Sequence, residues 1–236
     1  MNDTANQLLD NMNALAVGVF LLTAFGIVAM RQVRGVLNLF ILQSLMLAAS
    51  AALLGLWHHS GHLYGVALVN LISKPIIVPW LLRKTTPKEI YSRREISQVL
   101  NIPTALLIAL GLTILAYFLA QPLLNAVAPE FRGANVPIGI AGLLLGAFTL
   151  TVRREALPLL IALLVMENGA FLAGISISRN LPLLVELAIA TDGLIIVFIS
   201  GVLIRAVQKH VGTTAVGKLS SLKESGDEPP AKELAK

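Results

Sequence analysis

Seven stretches of predominantly apolar residues, each near the length that crosses a bilayer as a helix, dominate this chain of 236 residues. Lipid offers a backbone no hydrogen-bond partner. A segment buried in it must satisfy its own N–H and C=O groups, and a helix of about twenty residues does so in one crossing. The runs lie near 11–30, 35–56, 63–82, 103–125, 136–152, 156–178 and 181–205, the fifth being the shortest. The expected fold class is therefore all-α, a polytopic membrane helix bundle with about seven transmembrane helices. Only 13% of the residues are charged against 56% apolar, which leaves no composition for a soluble domain of comparable size. The first thirteen residues hold Asp3 and Asp10 and no Lys or Arg. They lack the basic start of a signal peptide, so the first run is expected to be a retained helix.

Charge then orients the helices, because cytoplasmic loops accumulate Lys and Arg. With the N-terminus outside, the inner segments carry Arg31 and Arg34, then Arg83, Lys84, Lys88, Arg93 and Arg94, then Arg153 and Arg154. The tail adds Arg205, Lys209, Lys218, Lys223, Lys232 and Lys236, and only Arg132 and Arg179 fall outside. The remaining cation, Lys74, lies inside the third run. The expected location is a bacterial or archaeal cytoplasmic (inner) membrane, N-terminus outside and C-terminus cytoplasmic. The formal charge of +5 is thus a topology signal and does not call for a nucleic-acid partner. The aromatic residues Trp57, Tyr64, Trp80 and Tyr91 fall near helix ends, as interfacial belts require.

The chain also repeats its own plan. A basic turn, Arg31-Gln-Val-Arg34-Gly-Val-Leu, opens the second run, and Arg153-Arg154-Glu-Ala-Leu opens the sixth. Gln43-Ser-Leu-Met-Leu-Ala-Ala aligns with Glu167-Asn-Gly-Ala-Phe-Leu-Ala, and Lys74-Pro-Ile-Ile-Val with Asp192-Gly-Leu-Ile-Ile-Val. Two three-helix units in parallel orientation are expected. The fourth helix restores the orientation that direct fusion would invert. The corresponding divisions are 1–82 for the first unit, 83–135 for the basic loop, linking helix and outer loop, 136–206 for the second unit, and 207–236 for a polar cytoplasmic tail. The units differ chemically, since Gln43 and Lys74 stand where the second has Glu167 and Asp192.

An ionised side chain at mid-bilayer costs a few kcal/mol or more, so it persists only with a partner or a wet cavity. At a rise of about 1.5 Å per residue, Glu167 lies roughly 18 Å from Glu155, Asp192 roughly 20 Å from Arg205 and Lys74 roughly 14 Å from Arg83. Pro75 and Pro79 bend the third helix and free carbonyls there. Glu186 is six residues from Asp192, about 240° around a helix, so the two cannot share a face. The proton-path candidates are Glu167, Asp192, Lys74 and Glu186. The competing reading is an internal Lys–carboxylate lock that only holds helices together. Asn168 and Gly169 offer Glu167 a polar neighbour and space for water. Gly142 and Gly146 read as a close helix contact.

No cysteine is present, which excludes disulfides, thiolate-bound zinc and iron–sulfur ligation by this chain. His58, His59 and His62 cluster in one short loop without a nearby carboxylate, a wet interfacial loop more than a metal site. No Walker-type loop, H-E-x-x-H or G-x-S-x-G occurs. No catalytic, metal or cofactor-binding residue is therefore expected.

The run from Arg154 through Glu167-Asn-Gly-Ala-Phe-Leu-Ala, followed by Glu186-Leu-Ala-Ile-Ala-Thr-Asp192-Gly-Leu-Ile-Ile-Val, resembles the K subunit of respiratory complex I. It is also similar to the C subunit of multisubunit sodium/proton antiporters. The whole length and plan resemble component E of the hydrogenase-4 and formate-hydrogenlyase complexes. The resemblance implies that Glu167 matches the middle-helix glutamate of the K-type subunit, and Asp192 its last-helix glutamate with a change of residue type. Gln43 and Lys74 depart from the acidic pattern. It implies a non-catalytic subunit of a proton-translocating complex, beside antiporter-like and complex I H-subunit-like membrane subunits. A soluble hydrogenase arm would carry the nickel–iron centre and iron–sulfur clusters. The alternatives are a subunit of a cation/proton antiporter without redox chemistry, a purely structural spacer and, least in accord with the sequence, a free-standing transporter.

Overall fold

The computed structural model describes residues 3–58, 61–85, 99–126 and 135–177, with residues 195, 197–199 and 201–202. Its helices are α1 (Asp3–Ala29), α2 (Val33–His58), α3 (Gly61–Ile72), a π-helical turn (Ser73–Ile77), α4 (Val78–Thr85), α5 (Ile102–Ala126), α6 (Asn135–Val152) and α7 (Ala156–Ile177). Counting α3, the π turn and α4 as one span, six helices among the described residues are long and apolar enough to cross a membrane. The bundle is all-helical in its regular elements, as the apolar runs require. Most of the expected seventh run, including Asp192 and Glu186, lies outside the described residues. The first helix begins at Asp3 instead of near 11. Polar residues beyond the bilayer can continue a helix, and only the span Gln7–Ala29 is apolar enough to cross.

Short turns make α1 and α2, and α6 and α7, antiparallel hairpins. In addition α1 lies against α6, and α2 against α7. The α6–α7 contact is the most extensive, because glycines remove the side chains that would hold the backbones apart. A Cβ added at Gly139 would stand 2.5 Å from the Ala173 nitrogen, and one at Gly146 2.5 Å from the Met166 nitrogen. At Gly169 it would run into the backbone of Gly142 and Leu143. Gly142 and Gly146 therefore mark a close helix contact. Gly169, by contrast, opens no space for water, since the α6 backbone fills it. Helix α5 packs on α6 and α1 and leaves Leu107, Leu110 and Phe118 exposed, as a lipid-facing helix can.

The third span does more than bend at its prolines. Pro75 has no N–H to give the residue four before it, and the chain widens into a π turn in which the Val78 N–H donates to the Ser73 carbonyl. Lys74 sits within that turn and is buried.

Candidate functional site

Two apolar clusters divide the bundle. At the basic end Ile27, Phe40, Val78, Leu82, Leu164 and Val165 pack together. Toward the other end Val17, Phe20, Leu47, Ala67, Phe171 and Leu172 do the same. Following each helix from one cluster to the other exposes what separates them. On α2, Gln43 and Ser44 lie between Phe40 and Leu47. On the third span, Asn70, Ser73 and Lys74 lie between Ala67 and Val78. On α7, Glu167 and Asn168 lie between Val165 and Phe171. All but Glu167 are buried. Gln43 is about 15 Å along α2 from Val33, close to the depths of Lys74 and Glu167 by the same rise. These residues form one polar layer through the middle of the bundle.

Within the layer, the Lys74 ammonium stands 2.9 Å from Glu167 Oε1. It donates to Asn168 Oδ1 at 2.8 Å and lies 5.6 Å from the centre of the Phe171 ring, within cation–π range. Asn168 turns its Nδ2 the other way, donating to Gln43 Oε1 at 3.3 Å and to Ser44 Oγ at 3.2 Å. Three helices are thereby tied through a single amide. The Lys74–Glu167 contact is close in distance but lies off the direction of a hydrogen bond, which leaves Oε1 without one. The Gln43 Nε2 and Ser73 Oγ atoms are also buried without a partner. Water is the usual bridge for such groups.

Burial is unequal across the pair. The Lys74 side chain is 4% exposed and that of Glu167 21%. Glu167 Oε1 is itself buried against the lysine, so the exposed part is the remainder of the side chain, on the flank of α7 that also carries exposed Ala170. The layer is closed by apolar side chains above and below, and it reaches the lateral surface of the described bundle through Glu167.

Of the four sequence-derived candidates, Glu167 and Lys74 come together, while Asp192 and Glu186 lie outside the described residues. The partner of Glu167 is thus a cation of the third span, Lys74. Asn168 emerges as the hub, although the sequence marked it only as a polar neighbour. Its signal was the coincidence of depth with Gln43 and Lys74. A smaller polar contact joins α1, α2 and α6 nearer the opposite end: Ser50 Oγ donates to Asn13 Oδ1 at 2.7 Å, and Asn13 Nδ2 to Asn135 Oδ1 at 3.0 Å. Among the described residues no three metal-ligating side chains converge.

Comparison with known proteins places this geometry in context. The chain is similar to the uncharacterized protein Rv0085 of Mycobacterium tuberculosis, 30% identical over 209 residues, which cover 89% of this chain and 94% of that protein. It is also similar to hydrogenase-4 component E of Escherichia coli K12, 27% identical over 229 residues, covering 93% of this chain and 99% of that one. Component E of Shigella flexneri matches to the same extent. No family profile matches the chain. No solved structure matches it either.

Proposed function

Because this chain belongs to the family of Rv0085 and hydrogenase-4 component E, we propose that it is a non-catalytic integral membrane subunit of a proton-translocating, hydrogenase-4-type complex. Its membrane partners would be antiporter-like and complex I H-subunit-like proteins, and the nickel–iron and iron–sulfur chemistry would belong to a soluble arm bound through them. The contribution of this chain is a lateral segment of a proton path in the polar layer, with Glu167 as its outer group and Lys74 as the group behind it. The observation that carries this reading is the partly exposed Glu167 side chain, whose carboxylate is in contact with a buried ammonium. A proton moving along the membrane normal would have to cross an apolar cluster on either side. A proton moving sideways meets Glu167 first, then Lys74, then the amides of Asn168 and Gln43.

The unpaired Gln43 Nε2 and Ser73 Oγ support a layer bridged by water more than a dry lock, since buried polar groups left unsatisfied weaken a purely structural contact. The lateral contacts of α1 with α6 and α2 with α7 support two parallel units packed side by side. Asp192, aligned with Lys74 in the repeat, remains the candidate for continuing the path on the other unit, and Glu186 for a partner contact.

The test has two parts. Affinity purification of the tagged full-length chain from its native membranes should recover hydrogenase subunits together with antiporter-like ones. Recovery of antiporter subunits alone would move the assignment to a cation/proton antiporter. In the assembled complex, Glu167→Gln should lower proton translocation per turnover while leaving complex yield near that of the wild type. Lower yield with unchanged translocation per complex would instead mark Glu167 as a packing residue.

A further inference from the structure

The two basic turns of the internal repeat take no part in the polar layer, yet the fold brings them together at one end of the bundle. Arg153 is 4% exposed. Its Nη2 donates to the carbonyls of Ile27 at 2.6 Å, Val28 at 3.3 Å and Met30 at 2.6 Å. These are the last carbonyls of α1 and the turn after it, and a guanidinium there satisfies acceptors that the helix cannot. That accounts for one nitrogen of the three. Among the described residues Arg153 Nε and Nη1 are buried with no hydrogen-bond partner, and so is the Nε of Arg31, whose own peptide bond carries the Met30 carbonyl.

Cations outnumber anions at this end. Arg34 and Arg154 are exposed, Arg31 is half-buried and Arg153 buried, and Glu155 is the one carboxylate among residues 31–34 and 153–155. Glu155 is 6% exposed and makes no ion pair with either arginine among the described residues. Helices α2 and α7 both begin here; α2 has no acidic residue in its first turn, and α7 starts directly after Glu155. The partial positive end of α2 therefore adds to the excess, while Glu155 offsets that of α7. Burial pushes the Arg153 guanidinium down to about 10, with the Glu155 charge opposing that shift and the Arg31 charge adding to it. Arg153 is still a cation at neutral pH. What it lacks is an acceptor for Nε and Nη1 among the described residues.

We propose that Arg31 and Arg153 form a binding site for the phosphate of an anionic phospholipid headgroup. The depth suits this ligand: the two arginines lie just beyond the ends of the spans Gln7–Ala29 and Asn135–Val152, where headgroups lie. The donors suit it as well, because phosphate oxygens accept from a guanidinium in a planar fork. The bound lipid also pins the α1–α2 turn to the α6–α7 turn.

The test uses the full-length chain, purified in detergent, stripped of lipid and titrated with phosphatidylglycerol, phosphatidylcholine or inorganic phosphate. Bound lipid is counted by native mass spectrometry and stability is read from the melting temperature. Phosphatidylglycerol should be retained and raise the melting temperature, with little effect from the other two at equal concentration. Arg31→Gln should weaken phosphatidylglycerol binding about ten-fold, the loss of one charge-assisted contact, and exposed Arg34→Gln much less. Arg153→Lys, which keeps the charge and loses the fork, should fold and bind weakly. Unchanged phosphatidylglycerol binding in both Arg31→Gln and Arg153→Lys would overturn the site. Equal stabilisation by inorganic phosphate would overturn the lipid assignment.

Discussion

Replacing Lys74 by Met separates the relay from the lock. The side chain is 4% exposed, 2.9 Å from Glu167 Oε1 and 2.8 Å from Asn168 Oδ1. Methionine fills similar volume but leaves a carboxylate and an amide oxygen facing an apolar group at mid-depth. Breaking a buried ion pair by removing one partner costs about 3–5 kcal/mol, and a lone charge at the centre of a transmembrane helix about 2.5–3.5 kcal/mol by insertion scales. Glu167 is 21% exposed and can turn part of its carboxylate outward, so the lower end applies, about 3 kcal/mol. The double variant Lys74→Met, Glu167→Gln removes both charges and should return to within about 1 kcal/mol of the wild type, because an apolar or neutral replacement of a buried pair is often free of net cost. The coupling between the two positions is then at least about 2 kcal/mol, and larger by whatever Glu167→Gln costs alone. Unfolding of the full-length chain in detergent measures the four corners of the cycle. Proton translocation by the complex carrying each variant supplies the second readout. Stability that recovers in the double variant while translocation does not is the result expected of a relay. Recovery of both would leave the pair a lock. A single-variant cost under about 1 kcal/mol with an additive cycle would falsify the ion pair itself.

Other outcomes follow from the same contacts. Gly169→Ala should destabilise the chain by about 1–3 kcal/mol in the same unfolding assay, since its Cβ meets the α6 backbone. Gly174→Ala, with nothing within 4 Å, should be neutral or slightly stabilising. Gln43→Leu removes a weak acceptor and an unpaired donor, so stability should stay within about 1 kcal/mol while translocation per turnover falls if water bridges this part of the layer. The Arg153 site has its own pH signature. Burial depresses its pKa to about 10, so folding disfavours the charged form, and this penalty is fully present below about pH 10 and relieved as pH rises above it. Phosphatidylglycerol binding, which needs the charge, should be flat from about pH 6 to 8 and weaken as pH approaches 10, measured by native mass spectrometry across that range.

Much of the fold is legible in the sequence because lipid imposes it. A backbone in hydrocarbon has to be helical, so apolar length alone locates the described spans to within a few residues, apart from the polar first turns of α1. Depth is legible for the same reason. Lys74, Glu167 and Gln43 could each be set near mid-bilayer by counting residues from a basic turn.

Rotation is not legible. In a soluble bundle, polar and apolar faces declare which side of a helix points inward. Here lipid and core are both apolar, and α7 is hydrophobic almost all round, so its sequence does not say which neighbour Glu167 meets. Backbone contacts decided it: Gly139, Gly142, Gly146 and Gly169 let α6 and α7 close together, and the π turn at Ser73–Ile77 aims Lys74. The sequence by itself determined the apolar spans and put Lys74 and Glu167 inside two of them. Only the tertiary structure decided that Glu167 of α7 faces Lys74 of the third span, because pairing depends on the azimuth of each helix, and close packing fixes azimuth where hydrophobicity cannot.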